Sequence, residues 1–331
     1  MIRVGVIGVG SMGQNHVRVL FHSEEAKLVA VADAHEEALR KVAEKYKVTG
    51  YADYKEMLLR EDLDAVTIAV PTSLHKEVAL AALSQGKHVL LEKPIAASEE
   101  DGKEIIKAAE EQKVTLMIGH IERFNPAIAE LKRRLLLGQL GDIYKIDVQR
   151  IGPFPHRVTD VGVIIDLSVH DLDIISYLTG AEPIHLYAEK QQRLHPTQED
   201  LVTALVKYDN GMLAVLNINY LSPTKIRQLQ IFGKKGMFSV DYLNQELYFY
   251  ENTSFSSDTW ESVTEGEMKK IIIPKKEPLV AELQEFLSCI REKRAPLVTG
   301  GEALKIVSIA NSLLHATHEQ KIVRFDSHEK N

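Results

Sequence analysis

Residues 2–13 read IRVGVIGVGSMG, and this stretch decides the fold. Its opening residues are a short apolar run of strand character. Gly8, Val9, Gly10, Ser11, Met12 and Gly13 then form a G-x-G-x-x-G, and helical spacing begins in MGQNHVRVLFHS. Glycines cluster in many loops, so the pattern takes its meaning from following a strand and opening a helix. In that context Gly8 permits the tight turn, Gly10 lets the backbone approach a pyrophosphate, and Gly13 lets helix and strand pack closely. The helix N-terminus adds N–H groups and the positive end of a dipole, both suited to phosphate. These six residues are candidate dinucleotide contacts.

The alternation continues through KLVAVAD, HEEALRKVAEKY, AVTIAV, SLHKEVALAALSQG, KHVLLE, EEDGKEIIKAAEEQ and VTLMIG. Strands apolar on both faces and joined by helices predict an α/β domain, a Rossmann-type doubly wound parallel sheet over residues 1–120. The second strand ends at Asp33, about twenty residues beyond Gly13. A carboxylate there accepts hydrogen bonds from ribose hydroxyls and repels a 2′-phosphate. Ala34-His35-Glu36-Glu37 supplies no arginine to hold such a phosphate, so NAD is favoured over NADP, with Asp33 and Ala34 at the ribose. Asp33 is equally placed to N-cap the helix that follows.

At 331 residues the chain exceeds the usual size of one core, and a second domain over 121–331 is expected. Hydrophobic residues at 45% and charged residues at 26% are ordinary for a globular protein. A formal charge of −7 and a pI near 6.0 argue against nucleic acid or an anionic membrane as partner. The lone Cys289 excludes an internal disulfide and a cysteine-based zinc cage. No signal peptide pattern or membrane-length apolar run is present, so a cytoplasmic protein is expected.

Beyond residue 121 the texture changes. A helix over PAIAELKRRLLLG, a strand near IYKIDVQRI and a helix over VIIDLSVHDLDIISYLT precede a series of strand-like segments. LVTALVKY and MLAVLNINYL flank Asp209-Asn210-Gly211, a hairpin signal. The second domain is therefore predicted to be α+β, with a large, open, mostly antiparallel sheet and two closing helices. Both alternating sets of LVTALVKY are largely apolar. Helices cover one sheet face, and another subunit is the simplest cover for the other, which predicts a homodimer or homotetramer paired through this sheet.

Hydride transfer from an alcohol needs a group that holds the carbinol oxygen and a base for its proton. Ligands of open α/β sheets lie beyond the carboxyl ends of the strands. KHVLLEKPI delivers Glu92, Lys93 and Pro94 at such an end. Lys93 suits an oxygen anchor or proton relay, and Pro94 restricts its backbone to an extended conformation. In the second half, Asp166, His170 and Asp173 are spaced four and three apart, which puts them on one face of a helix that is apolar elsewhere. A polar stripe on a buried helix points to a cleft, with His170 as base and Asp166 as its orienting partner. His16 and His75, at helix starts near the dinucleotide, fit local packing and bonding. His120, His156, His185 and His195 lack metal-ligand spacing, so no metal is expected.

GVGSMGQNH, AVPTSLH, GKHVLLEKP, GHIERFNP and IDLSVHDLD, in this order, resemble the Gfo/Idh/MocA oxidoreductase family, and the likeness covers essentially the whole chain. The resemblance implies a Rossmann domain followed by a sheet domain used for oligomerisation, with Lys93, Asp166 and His170 catalytic. It further implies that Val70, Thr72, His75, Glu92 and Lys93 line the cofactor and that the Lys93-Pro94 bond is cis. Val163-Ile164-Ile165 departs from the small residues that many members carry before the aspartate. ERFNPAI and RIGPFPHRVTDVGVIIDLSVHDLDI are similar to the sugar-nucleotide 3-dehydrogenase branch, particularly enzymes of UDP-N-acetylglucosamine. That likeness implies a sugar or nucleotide-sugar substrate, with Arg123, Asn125, Arg157 and Asp173 at the substrate. Arg150 is a further cation near the expected cleft, and Arg157, in a Gly/Pro-rich loop, is the best placed to meet a diphosphate. The alternatives are a dehydrogenase of free inositol or another unactivated sugar, an NAD-dependent glycosidase, and a dinucleotide-binding sensor without turnover.

Overall fold

The computed structural model describes residues 1–60, 62–155, 161–252 and 265–325. Two compact units result, and the first comprises Met1–Ile121 together with Glu277–Ser308. Its chain runs β1 (Ile2–Ile7), α1 (Ser11–Phe21), β2 (Ala26–Ala32), α2 (Glu36–Tyr46), β3 (Thr49–Tyr51), α3 (Tyr54–Leu58), β4 (Ala65–Ile68), α4 (His75–Ser84), β5 (His88–Glu92), α5 (Glu99–Gln112) and β6 (Leu116–Gly119). The six strands are parallel in the order β3-β2-β1-β4-β5-β6. Val4, Val6, Val66, Ile68, Val89, Leu90 and Leu91 are fully buried, as strands covered by helices on both faces require. The order reverses between β1 and β4, and the crevice at that switch point is where such sheets take ligands.

The second unit comprises Glu122–Lys276 and Ile309–Asn331. It contains α6 (Pro126–Leu136), β7 (Ile143–Ile151), a π turn (Ile164–Ser168) that runs into α7 (Val169–Thr179), β8 (Pro183–Gln191), β9 (Leu201–Tyr208), β10 (Leu213–Asn219), β11 (Ile226–Gly233), β12 (Gly236–Asp241), β13 (Glu246–Glu251) and β14 (Met268–Ile271). After α8 (Pro278–Glu292) and α9 (Gly300–Glu319) the short β15 (Val323–Arg324) completes a nine-stranded sheet ordered β14-β13-β12-β11-β7-β10-β9-β8-β15. Only β7 and β10 pair in parallel among these neighbours. The hairpin at Asp209-Asn210-Gly211 joins β9 to β10 in the register Leu205↔Val215. One face of this sheet is buried through Ile146, Val148, Val202, Val206, Leu216, Ile231 and Phe238. The other face carries Tyr187, Leu205 and Val215 side by side across three strands, with Leu205 45% and Tyr187 37% exposed.

One boundary needs correction. The sequence places all of 121–331 in the second domain, whereas Glu277–Ser308 belongs with the first unit. The reason is the apolar face of α8: Leu279, Leu283, Phe286 and Leu287 are buried, and α8 packs on α1. Arg18 pairs with Glu277 and Arg291 with Glu25 at the rim, while the Ile118 N–H donates to Val298 O at 3.2 Å. Periodicity reveals an apolar helix face but not which sheet it covers. Cys289 is buried on the same helix, and burial pushes its thiol up to about 12, so it packs rather than reacts.

Candidate active site

In the first unit the loop after β1 has the form its glycines allow. Gly8 adopts φ +86°, and a Cβ there would stand 2.6 Å from Ala69 O. A Cβ on Gly13 would come within 1.8 Å of Gly8 O, so α1 lies directly on the loop. Gly10 differs: an added Cβ would meet nothing within 4 Å, and no side chain caps α1. The first N–H groups of α1 thus face open space, the arrangement a pyrophosphate occupies.

Beyond β2, Asp33 accepts the Val9 N–H at 2.6 Å and the His35 N–H at 2.8 Å. Its carboxylate holds the glycine loop in place and leaves capping of α2 to His35, whose Nδ1 accepts from Ala38. Ala34 follows, partly exposed residues Val70 and Thr72 continue the carboxyl edge past β4, and the first turn thus lies at the switch point.

The Glu-Lys-Pro at the end of β5 is braced from both sides. Glu92 Oε1 lies 3.0 Å from His16 Nε2 on α1, and Glu92 Oε2 accepts the Lys93 N–H at 3.2 Å. On the other side His75, at the start of α4, has Nδ1 2.8 Å from Pro94 O and Nε2 3.1 Å from Val70 O. Burial holds the His75 imidazole below the ordinary histidine range. Its neutral form carries one N–H, which donates to one of these two carbonyl oxygens. The Lys93-Pro94 bond is cis, as the family resemblance implies. His75, expected to line the cofactor, is engaged through both ring nitrogens by backbone, and sits 1% exposed.

In the second unit the start of α7 is not the regular helix that the spacing suggests. Glu199 caps it, accepting the Val163 N–H through its backbone oxygen and the Ile164 N–H through Oε1. The chain then makes a π turn over Ile164–Ser168 before α7 proper. Asp166 lies in the π turn and His170 in α7, while Asp173, three residues further along α7, is buried, so the three do not form one exposed stripe. Asp166 and His170 remain partly exposed, and Asp166 Oδ2 accepts from Tyr220 Oη at 2.5 Å. Asp173 turns inward.

The expected substrate cations are correspondingly different in the structure. Arg123 and Asp173, 2% and 1% exposed, form a buried pair with bonds of 2.6, 2.9 and 3.1 Å. Arg150 is likewise buried against Asp171 at 2.6 and 3.1 Å, with Glu122 at 3.2 Å. Burial opposes the Arg150 charge, but Asp171 and Glu122 outweigh it and hold the guanidinium above its ordinary range. Asn125, also buried, N-caps α6 by accepting from Ala127 N and donates to Tyr242 O. Among the described residues, Arg123, Asn125, Asp173 and Arg150 make internal ties within the second unit, as buried charge requires. Arg157 lies outside the described residues, as does His156.

Sequence reasoning missed Tyr220 and Arg227. Arg227 is half-buried on β11, opposite Arg150 of β7 and 3.7 Å from Glu122. Burial and then the Arg150 charge lower its pKa, against the pull of Glu122, Asp171 and Asp166. Both residues sit in strand-like runs; the β11–β7 register sets Arg227 opposite Arg150, and Tyr220, just past β10, meets Asp166 of the π turn.

Residues 2–120 match a family described as oxidoreductases with an NAD-binding Rossmann fold, and residues 128–239 match the GFO/IDH/MocA C-terminal domain. The chain is 31% identical, over 93% of its length and 95% of the other, to a UDP-N-acetylglucosamine 3-dehydrogenase of Acidithiobacillus ferrooxidans. A crystal form of an enzyme of that name from the same organism superposes with a TM-score of 0.86 at 30% identity, covering 96% of this chain and 98% of that one. The scyllo-inositol 2-dehydrogenase (NAD+) of Bacillus subtilis is 29% identical over 91% of this chain and 90% of its own. No helix among the described residues is long and apolar enough to cross a membrane.

Proposed function

The chain belongs to the GFO/IDH/MocA family of NAD-binding oxidoreductases, and we propose that it oxidises a secondary hydroxyl of a nucleotide sugar, C3 of UDP-N-acetylglucosamine. One observation carries the substrate class: the likeness, along nearly the whole of both chains, to a dehydrogenase named for that compound. The residues the chemistry needs are all present.

NAD fits the first unit. The space at Gly10 and the uncapped start of α1 suit its diphosphate, and the Asp33 carboxylate suits its adenosine ribose. When bound, it supplies an acceptor for the hydride of a CH–OH carbon. Lys93, whose backbone is fixed by Glu92 on one side and Pro94 on the other, holds the reacting hydroxyl oxygen through its amine. His170 takes the hydroxyl proton and passes it to solvent. Asp166, fixed by Tyr220, orients the imidazole. The second unit pairs with another copy through the face that carries Tyr187, Leu205 and Val215, and light scattering that shows a monomer at micromolar concentration would remove that part of the reading.

The test is absorbance of NADH from the purified protein with NAD and a panel of nucleotide sugars, free hexoses and inositols. NADH from UDP-N-acetylglucosamine is the expected result. NADH from inositols alone would select the second reading, an unactivated polyol as substrate, which the Bacillus subtilis relative favours. Free sugar without net NADH would indicate glycoside cleavage, and dinucleotide binding without any turnover would indicate a sensor.

A further inference from the structure

The first unit contains a buried acid with no place in the reaction just described. Glu282, on α8, is 0% exposed, and neither carboxylate oxygen has a hydrogen-bond partner among the described residues. Its polar neighbours are His16 of α1 and Glu92 at the end of β5, and ligand atoms of the three lie within 4.8 Å of one another. His16 is itself fully buried, with Nε2 3.0 Å from Glu92 Oε1. Lys93 and His75 are the other titratable groups that act on Glu92 or on its surroundings. Glu92 packs over Gly119, its partner in β6, where an added Cβ would stand 3.3 Å from both its Cα and its Oε2.

Two ionised carboxylates placed together away from water would each carry a desolvation cost of several kcal/mol and would repel one another. A proton or a cation must intervene. A structural metal calls for about four ligands, and no other described His, Cys, Asp or Glu joins the three. One proton suffices with no further ligand. Burial, then the charge of Glu92, pushes the Glu282 carboxyl well above the usual carboxylate range. Burial also acts to raise Glu92, but the His16 hydrogen bond and the Lys93 charge outweigh it and hold Glu92 below that range. The environments separate the two acids into a neutral donor and a charged acceptor. A rotamer adjustment or one bridging water spans a gap of this size.

We propose that Glu282 is a positioning residue for Lys93: its protonated carboxyl donates to Glu92 and, with His16, pins the carboxylate that holds the Lys93 backbone N–H. The functional consequence rests on Lys93 acting as proposed above, whereas the protonation and the bracing do not. Two measurements on the full chain therefore need no substrate. Infrared difference spectra at neutral pH are expected to show a protonated buried carboxyl that Glu282→Gln removes. The Lys93 amide resonance in selectively labelled protein is expected to shift in Glu282→Ala and to stay near its wild-type position in Glu282→Gln, the neutral isostere that still donates. With an alcohol that reduces NAD, Glu282→Ala should lower kcat about tenfold or more with little change in KM, and Glu282→Gln should rescue it. No carboxyl band, an unmoved Lys93 resonance in Glu282→Ala, equal losses in the two variants, or a stoichiometric divalent metal released by Glu282→Gln would each overturn the proposal. If no alcohol reduces NAD, the spectra still decide the proposal and the failure falls on the reading of function.

Discussion

Asp173→Asn tests whether the Arg123–Asp173 pair serves the substrate or the fold. The substitution leaves a guanidinium 2% exposed without its carboxylate and removes the charge that accepts bonds of 2.6 to 3.1 Å. A second cation worsens the loss, because Arg123 and Lys132 both lie over the Tyr177 ring, at 5.0 and 5.2 Å from its centre. Burial and then the Arg123 charge already depress the Lys132 amine. Breaking a buried pair from one side costs about 3–5 kcal/mol, since the remaining charge stays desolvated. For a unit of this size that corresponds to a Tm lower by roughly 6–20 °C. Replacing both partners by apolar residues of similar volume, Arg123→Met with Asp173→Leu, should recover most of the loss, because no buried charge is then uncompensated. Circular dichroism during heating reads both variants, and a double-mutant cycle isolates the coupling. An unchanged Tm in Asp173→Asn would refute the reasoning. So would an Arg123→Met protein that keeps its Tm but raises the substrate KM, which is the behaviour of an arginine that grips substrate.

Three further outcomes are expected. Lys93→Met should lower kcat/KM by about 10²–10⁴, while NADH binding followed by fluorescence stays close to wild type; equal turnover would remove Lys93 from the chemistry. Asp33→Asn should weaken NAD by roughly 10–150-fold, the worth of a hydrogen bond to a charged group, and should narrow the preference over NADP; unchanged titrations with both dinucleotides would count against the ribose role. His75 has a folded pKa held below its unfolded value of about 6.5 by burial. Below that pH the unfolded chain binds the extra proton, so stability falls as pH drops through about 6.5 toward the folded value. His75→Gln should flatten that part of the urea-midpoint profile between pH 7.5 and 5, and parallel profiles would show that His75 is not the cause.

What the sequence makes legible is local. The Gly8–Gly13 loop, the alternation of strands and helices to residue 119, Asp33 at the end of β2 and the hairpin at Asp209-Asn210-Gly211 all rest on neighbours within one or two elements. The inward turn of Asp173 was not legible, because its partner Arg123 lies fifty positions away and both residues look like surface charges in isolation. Asp171 and Arg150, twenty-one positions apart, pose the same difficulty. The π turn at Ile164–Ser168 was not legible either, because its apolar residues suit a regular helix equally well. Arg227 acquires meaning only through the β11–β7 register, and Tyr220 only through its contact with Asp166 of the π turn. Glu282 sits in an amphipathic repeat where a glutamate is ordinary, and its isolation becomes visible only when α8 is seen against α1 and β5.

The Glu-Lys-Pro stretch joins these two kinds of information. Each flanking residue is tied to a different helix: Glu92 to His16 of α1, and the Pro94 carbonyl to His75 of α4. Those helices also define the crevice, since α1 opens at the glycine loop and His75 reaches back to Val70 O beyond β4. The backbone at Lys93 is therefore tied to the same helices that border the glycine loop and Val70, the elements proposed to seat the dinucleotide, not to a loop of its own. An oxygen anchor has to sit within fractions of an ångström of its working position, and a strand end braced by two buried histidines supplies that rigidity better than an exposed loop. It follows that loss of either brace should act on Lys93 geometry, and so on kcat, before it acts on NAD affinity. His16→Ala, which releases Glu92 but leaves the glycine loop and Asp33 untouched, should lower kcat with NADH binding retained. Matched losses in kcat and NADH affinity would mean that His16 supports the dinucleotide loop instead.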